Sequence, residues 1–190
     1  MKFIKTELPE VIICEPKVFG DHRGYFMESF KKEPFEKFIG YSVDFIQDNE
    51  SKSSKGVLRG LHFQKGEFAQ SKLVRVIEGE VIDVAVDLRK GSPNFGKSVA
   101  VKLSAENKKQ LFVPKGFAHG FVVLSQSAIF SYKVDAAYNF DSEGGLAYND
   151  PSLGIDWGIK ESELVLSEKD TQNPYLSESY LFDYNTNYYE

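Results

Sequence analysis

Residues 72–134 read KLVRVIEGEVIDVAVDLRKGSPNFGKSVAVKLSAENKKQLFVPKGFAHGFVVLSQSAIFSYKV, and this stretch decides the fold. Within it Lys72 to Ile77, Val81 to Leu88, Ser98 to Leu103, Gln110 to Val113, His119 to Leu124 and Ala128 to Val134 are runs rich in β-branched and aromatic residues. Turn-forming pieces (EGE, RKGSPNFG, SAENKK, PKGFA, SQS) separate them. Short strands at this spacing predict an all-β sandwich or barrel. In the second run Ile82, Val84, Val86 and Leu88 alternate with Asp83 and Asp87, which predicts one buried face and one wetter face.

Upstream lies FIQDNESKSSKGVLRGLHFQ, residues 45–64. It reads as a polar strand-like piece over 45–49, a Ser/Lys turn, and a second strand over 57–64 carrying Arg59 and His62 among Val57, Leu58, Leu61 and Phe63. Titratable side chains in so apolar a run are costly to bury without partners, so the run is expected to wall a site. Regular alternation puts His62 on one face with Leu58, Gly60 and Gln64, and Arg59 on the other with Val57, Leu61 and Phe63. Both can line one pocket only if the ladder is broken, and Gly60 is the natural place for a bulge.

Nearer the start, Val11 to Glu15 predicts a strand, PKVFGDHRG (16–24) a turn region, and Tyr25 to Phe30 a further strand. Lys31 to Phe38, with Pro34 near its start, predicts the first helix. From Asn139 the sequence turns polar and irregular and contains the single tryptophan, Trp157; a second short helix is expected within 160–170. The Tyr-rich SYLFDYNTNYYE of residues 179–190 has no assignable element.

With 190 residues, 42% hydrophobic and 14% aromatic, the chain supports one substantial core, and a single domain over 1–190 is expected. A net charge of −5 without any segregated basic block argues against a nucleic-acid partner. The one cysteine, Cys14, excludes an intrachain disulfide and a thiolate metal site, which fits a reducing cytoplasm. No apolar run approaches the roughly 20 residues of a membrane helix, so no membrane partner and a cytoplasmic location are expected.

Three histidines, His22, His62 and His119, raise the question of a metal. Metal-binding barrels of the cupin type present two histidines one residue apart followed by a glutamate, and here the second position after His62 is Gln64. No metal is therefore expected. His62 then reads either as a general base or as a core histidine satisfied by a carbonyl. Tyr132 interrupts an apolar run as a core aromatic or as a functional phenol. Arg23 and Glu28 read by themselves as a solvated pair, and Lys169 and Asp170 as an exposed helix end.

Six motifs in order, HRGYFMESF, FIQDNESKS, GVLRGLHFQ, QSKLVRVIEGEVIDVAVDLR, FVPKGFAHGF and SEKD, resemble the dTDP-4-dehydrorhamnose 3,5-epimerases, over about Ile12 to Leu176. The resemblance implies a cupin-type jelly-roll β-sandwich with a few short helices, a homodimer, and an isomerase without metal or organic cofactor. It implies epimerisation of the nucleotide sugar dTDP-4-dehydro-6-deoxy-D-glucose at C3 and C5 to dTDP-4-dehydro-L-rhamnose. His62 matches the family's base, Tyr132 its acid, and Asp170 the carboxylate that pairs with the base. Lys72 and Arg59 match residues near the keto oxygen and the pyrophosphate, with His119 at the sugar. Arg23, Glu28, Gln47, Asp48, Asn49, Glu143 and Lys169 match nucleotide and phosphate contacts, and Arg23 and residues 47–49 are expected to serve the partner subunit's site. Phe26, Phe19 and Tyr138 are the candidate surfaces for the thymine. The alternatives are a mono-epimerase acting at C3 or C5 only of another dTDP-4-keto-deoxysugar, a metal-dependent cupin enzyme, and a non-catalytic sugar-nucleotide binding module; the presence of both His62 and Tyr132 favours double epimerisation over relatives that invert one carbon or move the ketone.

Overall fold

The computed structural model describes all 190 residues. In chain order the strands are β1 (Lys2–Lys5), β2 (Ile12–Glu15), β3 (Val18–Asp21), β4 (Gly24–Met27), β5 (Gln47–Ser54), β6 (Leu58–Gln64), β7 (Lys72–Glu78) and β8 (Glu80–Asp87). They continue with β9 (Arg89–Lys90), β10 (Ser98–Ser104), β11 (Gln110–Val113), β12 (Phe117–Val123), β13 (Ser127–Val134), β14 (Glu143–Gly145) and β15 (Phe182–Asp183). One α-helix, α1 (Lys32–Ile39), lies between β4 and β5 and ends at Gly40, whose φ of 91° suits a glycine C-cap.

Two antiparallel sheets form the jelly-roll sandwich, in strand orders β1-β2-β11-β7-β13-β5 and β10-β8-β12-β6-β14. Val74, Val76, Leu111 and Phe130 of the first sheet pack on Val81, Ala85, Val101 and Phe121 of the second, so the main core lies between the sheets. The outer face of the first sheet is covered by α1: Phe35 packs with Ile12, Leu73, Phe112 and Cys14, and burial pushes the Cys14 thiol up to about 12. The outer face of the second sheet is covered by the last forty residues, with Leu153, Trp157 and Phe182 on Val84, Val86 and Leu88.

That second covering corrects the expected wet face of β8. Asp83 and Asp87 have no exposed surface, and they point to the sandwich interior while Val84, Val86 and Leu88 pack outward under Trp157 and Phe182. A strand covered on both faces needs no polar side, and its buried acids must instead be paired. Asp87 accepts hydrogen bonds from Arg89 Nε at 2.9 Å and Ser92 Oγ at 2.6 Å.

Other expectations shift as well. Ser51 to Ser54, expected in a turn, continue β5, which pairs only with β13 at the sheet edge, where polar residues are tolerated. Within the expected turn region, β3 pairs with β4 as a hairpin, and β4 ends at Met27 rather than Phe30. The helix expected within 160–170 is absent. Only single 3₁₀ turns occur, at Glu161–Glu163 and Asp170–Gln172, because the backbone between them is drawn to the edge of the sheet: Leu58 N–H donates to Val165 O at 3.0 Å and Val165 N–H to Gly56 O at 2.8 Å.

The expected break in β6 is present. His119 pairs with His62 and Phe121 with Arg59, so Gly60 and Leu61 face Gly120 alone. The extra residue reverses the alternation: Leu58, Leu61 and Phe63 pack outward while Arg59 and His62 both face the sandwich interior. Gly60 has φ of 133°, and a Cβ there would meet Gly120 Cα at 2.6 Å. Gly60→Ala should therefore lower stability by several kcal/mol in urea unfolding, beyond the roughly 1 kcal/mol of an unhindered positive-φ position. Gly66, with φ of 59° and nothing within 4 Å of a built Cβ, is the comparison. Equal losses for Gly60→Ala and Gly66→Ala would refute the close-approach account.

Candidate active site

A cavity of about 490 Å³ opens between the two sheets, with Arg59, His62 and His119 on the five-stranded side and Lys72 and Tyr132 on the six-stranded side. Phe121, Phe130 and Val57 give it apolar walls, and residues 165–170 close one side. An adjoining cavity of about 340 Å³ shares His62, Lys72 and Tyr132 and adds Gln47, Asn49, Tyr138 and Glu143. The two form one groove centred on the three shared side chains.

His62 Nε2 lies 2.5 Å from Asp170 Oδ1, although 108 positions separate the residues. The contact follows from the bridge between Val57 and Val165, which lays the 165–170 segment beside the start of β6. Burial raises the Asp170 carboxyl, but the hydrogen bond and charge of His62, with Ser167 and Lys169, bring it below its usual range. An ionised carboxylate on one ring nitrogen fixes the tautomer and leaves the other nitrogen free to take a proton. The His62 side chain keeps 29% of its surface and Asp170 only 4%, so the imidazole meets the cavity while its partner stays covered.

His119, on the strand beside His62, is buried against Asp83, with Nε2 3.0 Å from each carboxylate oxygen. Burial pushes the Asp83 carboxyl up and the His119 imidazole down, each against the attraction of the other. Asp83 is a site residue that the sequence pattern does not single out; an acid among Ile82, Val84 and Val86 is the one signal, and alternation alone assigns it to a wetter face.

Lys72 forms no ion pair. Burial brings its ammonium down from 10.5 to about 8, with Asp83 and Glu143 pulling the other way. On the adjacent strand of the same sheet, burial raises the Tyr132 phenol and Arg59 partly offsets this, so the phenol holds its proton at neutral pH. Arg59 Nε donates to Ser53 Oγ at 3.1 Å, which aims the guanidinium into the cavity. At the rim Lys169 pairs with Glu143, which also accepts the Tyr138 hydroxyl at 3.0 Å. Gln47 Nε2 donates to Asn49 Oδ1 at 2.7 Å beside them.

Three anticipated residues stand apart. Asp48 points to the outer face of its sheet and pairs with Lys133 at 2.8 Å. Arg23 lies on the exposed β3–β4 hairpin against Asp21, and Glu28 is exposed just beyond it. Of the candidate stacking aromatics, Tyr138 borders the groove, whereas Phe19 and Phe26 sit on the hairpin, 50% and 67% exposed. No three His, Cys, Asp or Glu side chains are grouped to hold a metal ion.

Comparison with known proteins identifies the family. Residues 5–178 match the profile of the family described as dTDP-4-dehydrorhamnose 3,5-epimerase. The chain belongs to that family. The dTDP-4-dehydrorhamnose 3,5-epimerase of Salmonella typhimurium is 56% identical over 181 residues, covering 95% of this chain and 98% of that one. The crystal structure of the Elizabethkingia anophelis epimerase superposes with a TM-score of 0.91 at 56% identity, over 95% of this chain and 99% of its own. A Legionella pneumophila epimerase in complex with dTDP-4-keto-L-rhamnose superposes with a TM-score of 0.92 at 49% identity, over 97% and 99%.

For an epimerase of this family the ionisation of Lys72 has a direct reading. Its ammonium predominates below about 8 and is lost as pH rises through that value, more than two units before a free lysine would lose it. The free-enzyme profile, kcat/KM against pH, should show an alkaline limb near 8, and Lys72→Arg should move that limb upward because a guanidinium stays charged. A profile level to pH 9.5 would contradict a protonated Lys72 as a working group.

Proposed function

We propose that this chain epimerises dTDP-4-dehydro-6-deoxy-D-glucose at C3 and C5 to dTDP-4-dehydro-L-rhamnose, with His62 as base and Tyr132 as acid. Membership of the family supports the substrate class. The observation that carries the mechanism is that His62 and Tyr132 line one cavity from opposite sheets.

C3 and C5 both flank the C4 ketone, so loss of either hydrogen leaves a carbanion that spreads onto the keto oxygen as an enolate. The site then needs a base at carbon and a positive donor at oxygen. His62, neutral and oriented by Asp170, takes the proton; Lys72 supplies the charge at the oxygen, with His119 beside it. Inversion requires return of a proton to the opposite face of the ring. Tyr132 on the facing wall delivers it; the proton taken by His62 is then released to solvent, and the Tyr132 phenolate takes one back from solvent, which resets both groups. The cycle consists of two proton transfers per carbon with no net oxidation, and side chains supply every group it uses. Arg59 suits the pyrophosphate, which a guanidinium fork binds bidentately, and Tyr138 offers a ring for the thymine.

The positions of Arg23, Phe19 and Phe26 support a homodimer. A hairpin this apolar, carrying an arginine remote from its own cavity, suits insertion into a second copy, where Arg23 would add a second cation for the pyrophosphate. The free Cys14 and the absence of any helix long and apolar enough to cross a membrane fit a cytoplasmic enzyme.

Incubation with substrate in deuterated water, followed by NMR, tests the reaction: deuterium should enter at both C3 and C5, and His62→Ala should slow both by about 10²–10⁴-fold. Label at one carbon only would instead indicate a mono-epimerase. Subunit mixing tests the crossing hairpin. Inactive Arg23→Ala and His62→Ala proteins, unfolded and refolded together, should regain activity from hybrid dimers carrying one intact site. Failure of hybrids to regain activity would mean that Arg23 acts within its own subunit, and a fully active Arg23→Ala protein would mean that it has no part in the site.

A further inference from the structure

The Tyr-rich segment lies beyond the residues that match the family profile, yet one of its side chains, packed on the outer face of the six-stranded sheet, reaches the residue before Lys72. The Tyr189 hydroxyl is 2.8 Å from Ser71 Oγ and accepts the Lys115 backbone N–H at 2.9 Å. Its ring lies 4.1 Å, centroid to centroid, from Tyr41, which locks the side chain in place. Ser71 has no exposed surface, and its own N–H donates to Asp135 Oδ1 at 2.6 Å. Asp135 is in turn paired with Lys115 Nζ at 3.4 Å. Tyr189, Ser71, Asp135 and Lys115 thus close a ring of polar contacts around the residue that immediately precedes Lys72.

We propose that Tyr189 is a positioning residue for the epimerase reaction, holding Ser71 through its hydroxyl and thereby setting the direction in which Lys72 enters the cavity. This rests on the reading of Lys72 as the cation at the keto oxygen. A lysine ammonium sits at the end of four rotatable carbons and makes no ion pair here, so the direction of its Cα–Cβ bond is the main constraint on where the charge lies. Removing the Tyr189 hydroxyl leaves the buried Ser71 Oγ and the Lys115 N–H without their partner, and the β7 entry can relieve this by turning. Misplacement of a working group by 1 Å can cost as much as about 10²-fold in rate.

Tyr189→Phe keeps the ring against Tyr41 and deletes only the hydroxyl. It should lower kcat by about 5–10-fold while KM changes less than about twofold. Amine labelling of Lys72 as a function of pH, read by mass spectrometry of its peptide, gives a readout independent of turnover. The labelling midpoint should rise from about 8 toward 10.5 as water reaches a displaced ammonium. Ser71→Ala should give the same losses, and the double variant should be no worse than either single one, because both remove one contact. Wild-type kcat and labelling in Tyr189→Phe, a loss of thermal stability alone, or fully additive losses in the double variant would each overturn the proposal. Lys72→Ala with a wild-type rate would instead overturn the reading on which it rests.

Discussion

One extra residue in β6 governs the site. A regular ladder would send Arg59 and His62 to opposite faces of the sheet, one into the sandwich and one under the outer layer. The bulge of Gly60 and Leu61 against Gly120 turns both inward. It exists because two strands approach where neither carries a side chain, with Arg59 O only 2.7 Å from where a Gly120 Cβ would stand. Packing on the other face enforces it: Leu58, Leu61 and Phe63 are buried beneath the last forty residues, and a slip back to regular alternation would expose them. The same covering layer delivers Asp170 to His62, so one arrangement both turns the imidazole inward and supplies its carboxylate partner.

Electrostatically the groove divides its charges between paired and unpaired groups. Each histidine facing it has one carboxylate, Asp170 for His62 and Asp83 for His119, and each pair is closed by hydrogen bonds. Breaking such a buried pair by removing one member typically costs about 3–5 kcal/mol, so the pairs fix ring orientation as well as charge. Lys72, by contrast, is held by burial and distant acids alone, and keeps its charge available for something that enters. An enolate oxygen or a pyrophosphate is the kind of group that such an unsatisfied cation favours. Arg59 is similarly uncommitted, with only the Ser53 hydroxyl as partner.

Much of this was legible in the sequence. The strands between Lys72 and Val134, the short helix before Gly40, and the break at Gly60 all follow from local pattern and turn chemistry. Asp83 was misjudged because alternation within one strand reports two faces but not what lies on each. Its outer covering comes from Trp157 and Phe182, some 75 to 100 positions away in the sequence. The 160–170 segment is extended rather than helical for a related reason, since its backbone partners are the distant Gly56 and Leu58. Ser51 to Ser54 look like a turn because an edge strand is allowed to be polar. The pairing of His62 with Asp170 rested on family resemblance until the Val57–Val165 bridge gave it a physical cause.

In the proposed mechanism labour divides across the groove, with proton removal from the wall that carries His62 and return from the wall that carries Tyr132. The most direct measurement is NMR of Tyr132→Phe with the dTDP-4-keto sugar in deuterated water, following isotope entry and epimer formation separately. The account predicts that deuterium still enters the unreacted substrate with retained configuration, returned by His62, while inverted product falls by about 10²-fold or more. Isotope entry and product formation falling together, by the same factor, would contradict it and place Tyr132 in the proton-removal step.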